Sequence, residues 1–277
     1  MSKIVAITGS TGGLGSAMVQ ILAKEGYDLL LINRSEAKTL QQISKIKQIN
    51  ANIDVKYHLT DLVDFNEVKD LAKYLMDIHF DYLILNAGIY NCPIKKLNTG
   101  FNNVFSVNHI VNYYLLKELS KKADFDRIIV VGSVAYNMAK LILDDVDYSN
   151  HTRINKIYGN SKRFLMFSTF KEFACDDRIV IAHPGITYTN ITSHYPKWIN
   201  WFICFGIKLV FPKPKNAAKV ILAGMTFKTA YLKWVSPRVF NIWGKPKVKL
   251  IRNVSEEEIN KIHDLSEDIY IKVKSIV

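Results

Sequence analysis

The sequence predicts an α/β fold in which helices cover both faces of a parallel β-sheet. Two observations support this prediction. Short β-branched runs alternate with longer helical patterns up to Gly185, and a glycine-rich turn joins the first run to the first helix. Parallel strands need crossover connections, so this alternation is typical of a doubly wound parallel sheet. We predict a single domain over residues 1–277, with a C-terminal helical extension over residues 237–277.

Each element up to Gly185 has its own signal. Strands are predicted where Ile, Leu and Val cluster, and helices where periodic patterns follow a glycine, a serine or a capping box. The predicted strands are KIVAIT, DLLLIN, IDVKYHL, DYLILNAG, DRIIVVGS and DRIVIAHPG. The predicted helices run from about Gly13 to Gly26, from Ser35 to near Asn50, from the capping box Asp64–Glu67 toward His79, from Phe101 to Lys122, and through Tyr158.

The alternation stops after Gly185. The apolar stretch from Trp198 to Phe211 is interrupted by Asn200 and Lys208 and is shorter than the roughly 20 residues that span a bilayer. We interpret residues 190–214 as a lid over a substrate pocket. A buried helix, and a peripheral membrane contact through residues 198–211, stay open as alternatives. Two further helices are predicted, one within FPKPKNAAKVILAGM and one that SEEE caps, with an apolar stripe of Ile259, Ile262 and Ile269.

Composition limits the class of protein. The chain has 277 residues, of which 49% are hydrophobic and 22% charged, which suits a globular domain with a full core. Its 3 cysteines lie too far apart for a metal site or a disulfide framework, and the N-terminal apolar run is too short for a signal peptide, so we expect a cytoplasmic protein. The net charge of +12 favours anionic partners, but no nucleic-acid-binding motif is present and no nucleic acid is predicted.

The stretch TGSTGGLG, Thr8 to Gly15, lies where the first predicted strand becomes the first helix. Glycines there permit a tight turn and close approach of the backbone to a ligand, and a helix N-terminus attracts a pyrophosphate. A glycine-rich turn without a ligand is the alternative. The strand–turn–helix context favours a Rossmann-type sheet that binds a dinucleotide.

The stretch NKIYGNSKRF places Tyr158 and Lys162 four residues apart, on one face of a predicted helix. An ordinary tyrosine, with a pKa of about 10, is a poor base at neutral pH. A cation one helical turn away favours the phenolate, so the pair predicts a tyrosine with a lowered pKa. Such a tyrosine could exchange a proton with a substrate oxygen. An amphipathic surface helix is the alternative.

These residues resemble the short-chain dehydrogenase/reductase family over nearly the whole chain. The glycine turn fits the T-G-x-x-x-G-x-G of the ordinary branch, although Gly12 also satisfies the spacing of the epimerase branch. NAG at Asn86 to Gly88 and HPGITYT, which matches P-G-x-x-x-T at Pro184, Gly185 and Thr189, favour the ordinary branch.

The resemblance implies roles for individual residues. Ser133 would hydrogen-bond a carbonyl oxygen, Asn108 would hold a water in a proton relay, Lys162 would bind the nicotinamide ribose, and Asp61 would contact the adenine. The implied catalytic residues are Asn108, Ser133, Tyr158 and Lys162. The candidate cofactor-binding residues are Thr8, Gly9, Ser10, Thr11, Gly13, Leu14, Gly15, Asn33, Arg34, Ser35, Asp61, Leu62, Asn86, Ala87, Gly88, Tyr158, Lys162, Pro184, Gly185 and Thr189. No metal site is predicted, and His109 and His183 are interpreted as packing or hydrogen-bonding residues.

The end of the second strand bears on the choice of cofactor. NAD-preferring folds usually place a carboxylate there, to bind the adenosine ribose hydroxyls. This chain has Asn33, Arg34 and Ser35 instead. Arg34 could pair with a 2′-phosphate, helped by Ser10 or Thr11, so NADP(H) is predicted over NAD(H). A solvated loop arginine is the alternative.

The interval between Ser133 and Tyr158, together with FPKPKNAAK and the tail, resembles the group that contains retinol dehydrogenases and protochlorophyllide reductases. The resemblance implies a bulky apolar carbonyl or alcohol, with residues 141–148 and 189–211 as pocket walls. Trp198, Trp201, Phe202 and Phe205 would line that pocket, pack the lid or form a dimer contact. Family members are often homo-dimers or tetramers.

We therefore expect an NADP(H)-dependent oxidoreductase that interconverts a carbonyl and an alcohol on a small or bulky apolar substrate. Two alternatives stay open. One is a non-catalytic protein that senses a dinucleotide, and the other is a basic protein of the membrane surface.

Overall fold

One sheet organises the part of the chain that this computed structural model describes, which is residues 2–90, 92–122, 124–148, 153–185 and 212–276. Its strand order is β3-β2-β1-β4-β5-β6-β7-β8. Every neighbouring pair is parallel except β7 and β8, which are antiparallel. The strands are β1 Ile4–Thr8, β2 Asp28–Asn33, β3 Val55–Leu59, β4 Tyr82–Leu85, β5 Arg127–Val131, β6 Ile179–Ala182, β7 Lys233–Val239 and β8 Trp243–Leu250.

Helices connect these strands in the predicted order. They are α1 Gly13–Lys24, α2 Glu36–Ile49, α3 Phe65–Asp77, α4 Asn103–Phe105, α5 Val111–Leu119, α6 Ile154–Glu172, α7 Pro214–Leu222 and α8 Glu256–Ser275. A π-helical turn, Ser106–Ile110, joins α4 to α5, and 3-10 turns cover Val134–Asn137 and Ala223–Met225. Within the described ranges, no helix is long and apolar enough to cross a membrane.

The sheet separates two hydrophobic cores. Neighbouring strand residues point to opposite faces, so Ala6 packs with α3, α5, α6 and α8, whereas Val5 and Ile7 pack with α1 and α7. Burial on both faces explains why the central strands read as continuous apolar runs. The predicted doubly wound parallel sheet is confirmed.

The chain reverses its direction of sheet growth at β1, which pairs with β2 on one side and β4 on the other. Ligands of doubly wound sheets bind in the crevice at the carboxyl ends of such strands. The glycine turn follows β1 and NAG follows β4, so the fold brings both motifs to this crevice.

The region after Gly185 differs from expectation. The sequence analysis did not predict β7 and β8, and the predicted extension at residue 237 begins inside β7. Both strands contain a proline, and β8 alternates lysine with half-buried residues, which is typical of a sheet edge and gives no apolar run. Most of the predicted lid, namely residues 190–211, lies outside the described residues.

Of the two predicted helix caps, the one at α8 is confirmed and the capping box at α3 is incomplete. Ser255 caps α8 as predicted, because its hydroxyl accepts a hydrogen bond from the Glu258 backbone, and the predicted isoleucine stripe of α8 is buried. At the other predicted box, Asp64 accepts from the backbone of Asn66. Glu67 does not complete that box, because its carboxylate accepts from the Asp61 backbone at 2.6 Å instead.

Candidate active site

A cavity of about 610 Å³ lies at the carboxyl ends of β1, β4, β5 and β6. It brings together many residues that the sequence motifs predicted separately. These are Gly9, Gly13, Leu14, Gly15, Asn86, Ala87, Gly88, Ser133, Tyr158, Lys162, Pro184 and Gly185. The remaining described candidates do not belong to this lining, namely Thr8, Ser10, Thr11, Asn33, Arg34, Ser35, Asp61, Leu62 and Asn108. Thr189 lies outside the described residues.

The glycine turn folds tightly enough to expose the start of α1. Gly9 has a φ of +67°, and a Cβ at Gly15 would lie only 2.3 Å from the Gly9 carbonyl oxygen. A side chain at Gly15 would therefore push α1 off the turn. Gly12 precedes α1 and offers no side-chain cap. The first N–H groups of α1 thus have no capping side chain to satisfy them, as an anion-binding turn requires.

Thr8 and Asn86 tie β1 to β4 beneath this turn. The buried Thr8 hydroxyl accepts hydrogen bonds from the backbone N–H groups of Asn86 and Ala87, both at 3.0 Å. The Asn86 amide donates to the carbonyl oxygens of Thr8 and Gly9, at 2.9 and 3.1 Å. Both side chains fix the shape of the turn through hydrogen bonds with the backbone, so their polar groups are already engaged within the protein.

Ser10 and Asn33 belong to a buried polar network that fixes the turn against α2. The Ser10 hydroxyl donates to the Gln42 amide oxygen at 2.8 Å, and Asn33 donates to Ser10 at 2.9 Å and to Thr39 at 3.1 Å. Gln42 in turn donates to the Ser10 carbonyl oxygen at 2.7 Å. The Ser10 hydroxyl therefore points into the protein, which leaves Thr11 and Arg34 as the outward-facing candidates.

Arg34 is exposed at the carboxyl end of β2. Within the part of the chain that the structure describes, no carboxylate forms an ion pair with it. The nearest carboxylate in the sequence, Glu36, accepts a hydrogen bond from the Tyr57 hydroxyl at 2.9 Å. Ser35 begins α2 without a side-chain cap. An unpaired guanidinium at this strand end is suited to an anionic group.

Asp61 and Leu62 are half-buried after β3. The Asp61 carboxylate accepts from the Val63 backbone at 3.2 Å, so it closes its own turn. This bond uses one carboxylate oxygen and leaves the other without a bond among the described residues.

Tyr158 reaches the cavity because α6 packs very closely on the 3-10 turn after β5. A Cβ at Gly159 would lie 2.8 Å from the Ala139 Cβ and 2.9 Å from the Ala135 carbonyl oxygen, so glycine is required beside the tyrosine. Ser133 caps the same turn, accepting from the Ala135 backbone at 3.2 Å. Sequence reasoning missed Gly159, although its place directly after Tyr158 was a signal.

The surroundings of Tyr158 act on its pKa in opposing directions. Burial raises the pKa, a hydrogen bond with Ser133 lowers it, and the neighbouring Tyr90 raises it, so that the pKa lies above its usual value. The sequence analysis predicted a lowered pKa caused by Lys162. That prediction is wrong for the protein alone, because desolvation of the phenolate outweighs the other influences.

Lys162 is a buried cation held by the backbone. Its side chain is only 5% exposed, and its ammonium donates to the Val131 carbonyl oxygen at 2.9 Å. Burial lowers the pKa of Lys162 to about 8. A Cβ at Gly88 would lie 3.8 Å from the ammonium, so this charge lies beside the NAG loop and lines the cavity.

Asn108 lies in the π-helical turn and is fully buried. Its amide oxygen accepts from the Ile89 backbone at 2.8 Å, and its amide nitrogen donates to the Ile89 carbonyl at 2.9 Å and to Ser161 at 3.3 Å. Asn112 donates to the Asn108 carbonyl at 3.1 Å. π-turns often occur at functional sites, and this one fixes the loop after β4 to α6.

His183 lies at the end of β6 and also lines the cavity. Its Nε2 lies 3.1 Å from the Asn241 carbonyl oxygen, and its ring stacks on Trp234 with centroids 5.0 Å apart. Burial lowers the pKa of His183 to about 4, so it is neutral at pH 7. His109 is likewise buried, near the Ser266 hydroxyl, with a pKa lowered to about 3. Both histidines are confirmed as packing and hydrogen-bonding residues.

Tyr90 is a cavity residue that the sequence analysis did not identify. Its ring meets the Tyr158 ring edge to face, with centroids 4.8 Å apart, and its hydroxyl donates to Asn155. Asn155 lies one helical turn before Tyr158 on α6. For Tyr90, the only sequence signal was its position two residues after NAG. Ile89, Val134 and Met138 add an apolar wall at this end of the cavity.

The sheet, the glycine turn and the Tyr–Lys pair define a dinucleotide-binding oxidoreductase fold. A sequence model of the short chain dehydrogenase family matches residues 3–143, and the chain belongs to this family. Within it, the chain resembles the retinol dehydrogenases. It is 26% identical to human retinol dehydrogenase 11 over 262 residues, which cover 86% of this chain and 81% of that protein. It is 27% identical to human polyprenol dehydrogenase over 207 residues, 69% of this chain, and spans 63% of the length of that relative.

Solved structures share the fold at low identity. An uncharacterized protein from Mycobacterium Paratuberculosis superposes with a TM-score of 0.74 at 21% identity, covering 97% of this chain and 93% of that one. A short-chain dehydrogenase from Sphingobium yanoikuyae in complex with NADPH gives a TM-score of 0.57 at 18% identity, with coverages of 80% and 84%. One from Burkholderia phymatum in complex with NAD gives 0.60 at 18% identity, with coverages of 83% and 88%. These neighbours were solved with both kinds of nicotinamide cofactor.

Proposed function

We propose that this protein is an NADP(H)-dependent oxidoreductase that interconverts a carbonyl and an alcohol on an apolar substrate, with Tyr158 as the general acid and base. One observation carries the proposal. Ser133, Tyr158 and Lys162 line the same cavity as the glycine turn, although the turn lies far from them in the sequence. A single reaction that needs both a dinucleotide and a proton donor accounts for this convergence.

The residues present fit a nicotinamide dinucleotide. The absence of side chains at Gly9 and Gly15, together with the uncapped start of α1, would accommodate a pyrophosphate. Lys162, which lines the same cavity, would bind ribose hydroxyls. The cofactor, when bound, supplies the hydride chemistry.

The chain supplies the proton and the positioning. Ser133 and Tyr158 would donate hydrogen bonds to the substrate oxygen, and Tyr158 would give up its proton as that oxygen becomes a hydroxyl. The buried ammonium of Lys162 would favour the tyrosinate that remains. Asn108 would act as a positioning residue, because its amide fixes the Ile89 backbone beside the cavity.

The proposed preference for NADP(H) rests on Arg34. The end of β2 has no carboxylate to repel a 2′-phosphate, and the exposed guanidinium can form a charge-assisted pair with one. A fluorescence titration with NADPH and with NADH tests this directly. We expect tighter binding of NADPH, and we expect Arg34→Ala to weaken NADPH by roughly 10- to 30-fold while NADH changes by less than about twofold.

Arg252→Ala is the matched control, because Arg252 is exposed on the far side of the sheet from β2. Both affinities should stay unchanged in this variant. Tighter binding of NADH by the wild type would refute the role of Arg34 and leave the reaction standing. If neither cofactor binds, the proposed function itself is wrong.

The apolar substrate is proposed from the cavity wall and from the relatives. Ile89, Val134 and Met138 face the end that contains Tyr158, and relatives are named for retinol and polyprenol. We expect NADPH oxidation with retinal, and a kcat/KM for butanal that is lower by at least about 100-fold, because long apolar chains supply binding energy that short ones lack. Equal rates with both aldehydes would contradict an apolar pocket.

A further inference from the structure

The net charge of this protein comes from one part of the chain. Residues 179–255 contain 12 of the 37 Lys and Arg residues and none of the 25 Asp and Glu residues. The rest of the chain therefore carries 25 basic and 25 acidic residues and is neutral overall. Basic residues occur along the whole chain, so the segregation lies in the absence of acidic residues from residues 179–255, and a bias toward lysine alone does not account for that absence.

The described part of this basic region includes the β7–β8 hairpin. Its turn exposes Phe240, whose side chain is 83% accessible, next to Val239 and Trp243 at 44% and 38%. Lys245 and Lys247 are exposed and share one face of β8 with Trp243, because they alternate along the strand. We call these five residues, Val239, Phe240, Trp243, Lys245 and Lys247, the hairpin patch.

The turn itself is costly for stability. Phe240 has a φ of +49° and Asn241 a φ of +58°, and the Ile242 backbone donates to the Val239 carbonyl oxygen at 2.9 Å across the turn. Such positions favour Gly, Asn or Asp, and a bulky aromatic residue is uncommon there. Phe240 thus lowers the stability of the folded protein twice, through its strained backbone and through its exposed ring. Since folding does not favour phenylalanine here, we attribute its presence to contact with a partner.

The hairpin patch lies beside the active site. A Cβ at Gly185 would meet the Ile242 carbonyl oxygen at 2.8 Å, and His183 contacts the Asn241 carbonyl. A second cavity, of about 390 Å³, lies between the hairpin and α7, and Pro184 lines both this cavity and the active-site cavity. Lys219 of α7 and Lys245 line the second cavity, so the basic surface continues onto α7.

We propose that the hairpin patch docks this protein on an anionic lipid bilayer. Phe240 would enter the interfacial region, while Lys245 and Lys247 would contact anionic headgroups. The charge of the region is complementary to such a surface, and an apolar apex flanked by cations is how interfacial proteins bind it. Nucleic acid fits less well, because an exposed phenyl ring on a turn gains little from a phosphate backbone.

Docking on this face would place the mouth of the active-site cavity near the bilayer. An apolar substrate dissolved in lipid could then reach Tyr158 without crossing water. This consequence rests on the proposed function, whereas the docking itself does not depend on any reaction.

Flotation with vesicles tests the docking directly. The full chain is mixed with vesicles of phosphatidylcholine alone, or of phosphatidylcholine with 30% phosphatidylserine, at about 0.1 M salt. We expect binding to the anionic vesicles only, with partitioning lowered by about 30-fold or more in the double variant Lys245→Glu/Lys247→Glu. Phe240→Ser should lower partitioning by roughly tenfold and should not change binding of NADPH, since it lies outside the cavity lining.

Matched controls separate the hairpin patch from general charge and exposure. Lys45→Glu/Lys171→Glu makes the same charge change on exposed positions of α2 and α6, and Ile271→Ser removes an apolar side chain that is 63% exposed on α8. These variants should bind vesicles as the wild type does. Full binding by the hairpin variants, equal losses in the controls, or binding of a DNA duplex without binding of vesicles would each overturn the proposal.

Discussion

Two lysines beside helix α6 have opposite surroundings: the buried Lys162 at the middle of α6, and the half-buried Lys117 of α5 beside the last residue of α6. Lys162 donates to a backbone carbonyl, and no described carboxylate pairs with it. Lys117 pairs with Glu172 of α6 and, at 3.0 Å, with Glu267 of α8. A cation surrounded by its own carboxylates stabilises the fold, whereas an uncompensated one is available to a ligand or a reacting group.

The pKa values follow this difference. Burial lowers the pKa of Lys162 to about 8, with no opposing charge. Burial also lowers the pKa of Lys117, but its hydrogen bonds with Glu172 and Glu267 raise it, and the net direction is upward. The same side-chain type therefore contributes to stability with opposite signs at these two positions.

The largest expected effect is on turnover, at the site that contains Lys162. Tyr158→Phe removes the proton donor and leaves the ring packed against Tyr90, so we expect kcat to fall by about 10³- to 10⁴-fold while NADPH binding is retained. Steady-state kinetics and a fluorescence titration measure the two quantities. Tyr231→Phe is the control, because Tyr231 lies outside the cavity and bonds to Glu256. Wild-type turnover in Tyr158→Phe would exclude the proposed acid and base.

The next effect distinguishes the two lysines by pH. The pKa of Lys162 is lower when folded, so between about pH 8 and 10.5 the unfolded chain binds more protons and stability rises with pH. Lys162→Met abolishes this rise. We measure the free energy of unfolding in urea. The value for Lys162→Met minus the value for wild type should therefore fall by about 2 kcal/mol from pH 7 to pH 10.

Lys117→Met is the internal control for this pH series. The folded pKa of Lys117 is raised, so its contribution is fully present below the unfolded pKa and is lost only as the pH rises through the higher folded value. The difference in the free energy of unfolding between Lys117→Met and wild type should stay constant between pH 7 and 10. If the corresponding difference for Lys162→Met is also constant, Lys162 is not a desolvated cation.

The sequence predicted the surroundings of Lys162 better than those of Lys117. Tyr158, Lys162 and Ser133 are identifiable because they match short motifs of a known family. The Lys117 cluster joins three helices that are distant in sequence, and no local pattern indicates that they meet. The raised pKa of Tyr158 was missed for a similar reason, because the burial of its phenol and the proximity of Tyr90 are tertiary properties.

Strands β7 and β8 show the same limit in the fold. The central strands are buried on both faces and appear as apolar runs, so their existence and their succession along the chain could be predicted from the sequence. The hairpin lies at the sheet edge, where lysine and proline prevent further pairing and also hide the strand pattern. Selection against edge-to-edge association thus removes the signal on which sequence reasoning depends.

A smaller effect concerns stability at the cluster of Lys117, Glu172 and Glu267. Lys117→Met leaves Glu172 and Glu267 partly buried without their shared cation, and we expect a loss of about 2 kcal/mol in the free energy of unfolding at pH 7. Turnover per folded molecule should not change. Lys261→Met is the matched control, because it breaks an exposed pair with Glu257 and should cost less than about 0.5 kcal/mol. Equal losses in both variants would mean that burial of the cluster contributes nothing.

The smallest expected effect probes how α6 positions Tyr158. Gly159→Ala adds a Cβ that would lie 2.8 Å from the Ala139 Cβ and 2.9 Å from the Ala135 carbonyl oxygen, so α6 must move away from the turn that carries Ser133. We expect kcat to fall by roughly tenfold, because a shift of a few tenths of an ångström misaligns the two hydroxyls, while NADPH binding stays close to wild type.

Gly26→Ala is the control for Gly159→Ala. Its φ of +84° makes alanine cost about 1 kcal/mol of stability, but nothing lies within 4 Å of the added Cβ and turnover should not change. The double variant Gly159→Ala/Ala139→Gly relieves one of the two close contacts and should restore part of the lost kcat. If Gly159→Ala folds and turns over like the wild type, the close approach of α6 serves packing alone, and the alignment of Tyr158 with Ser133 must come from another contact.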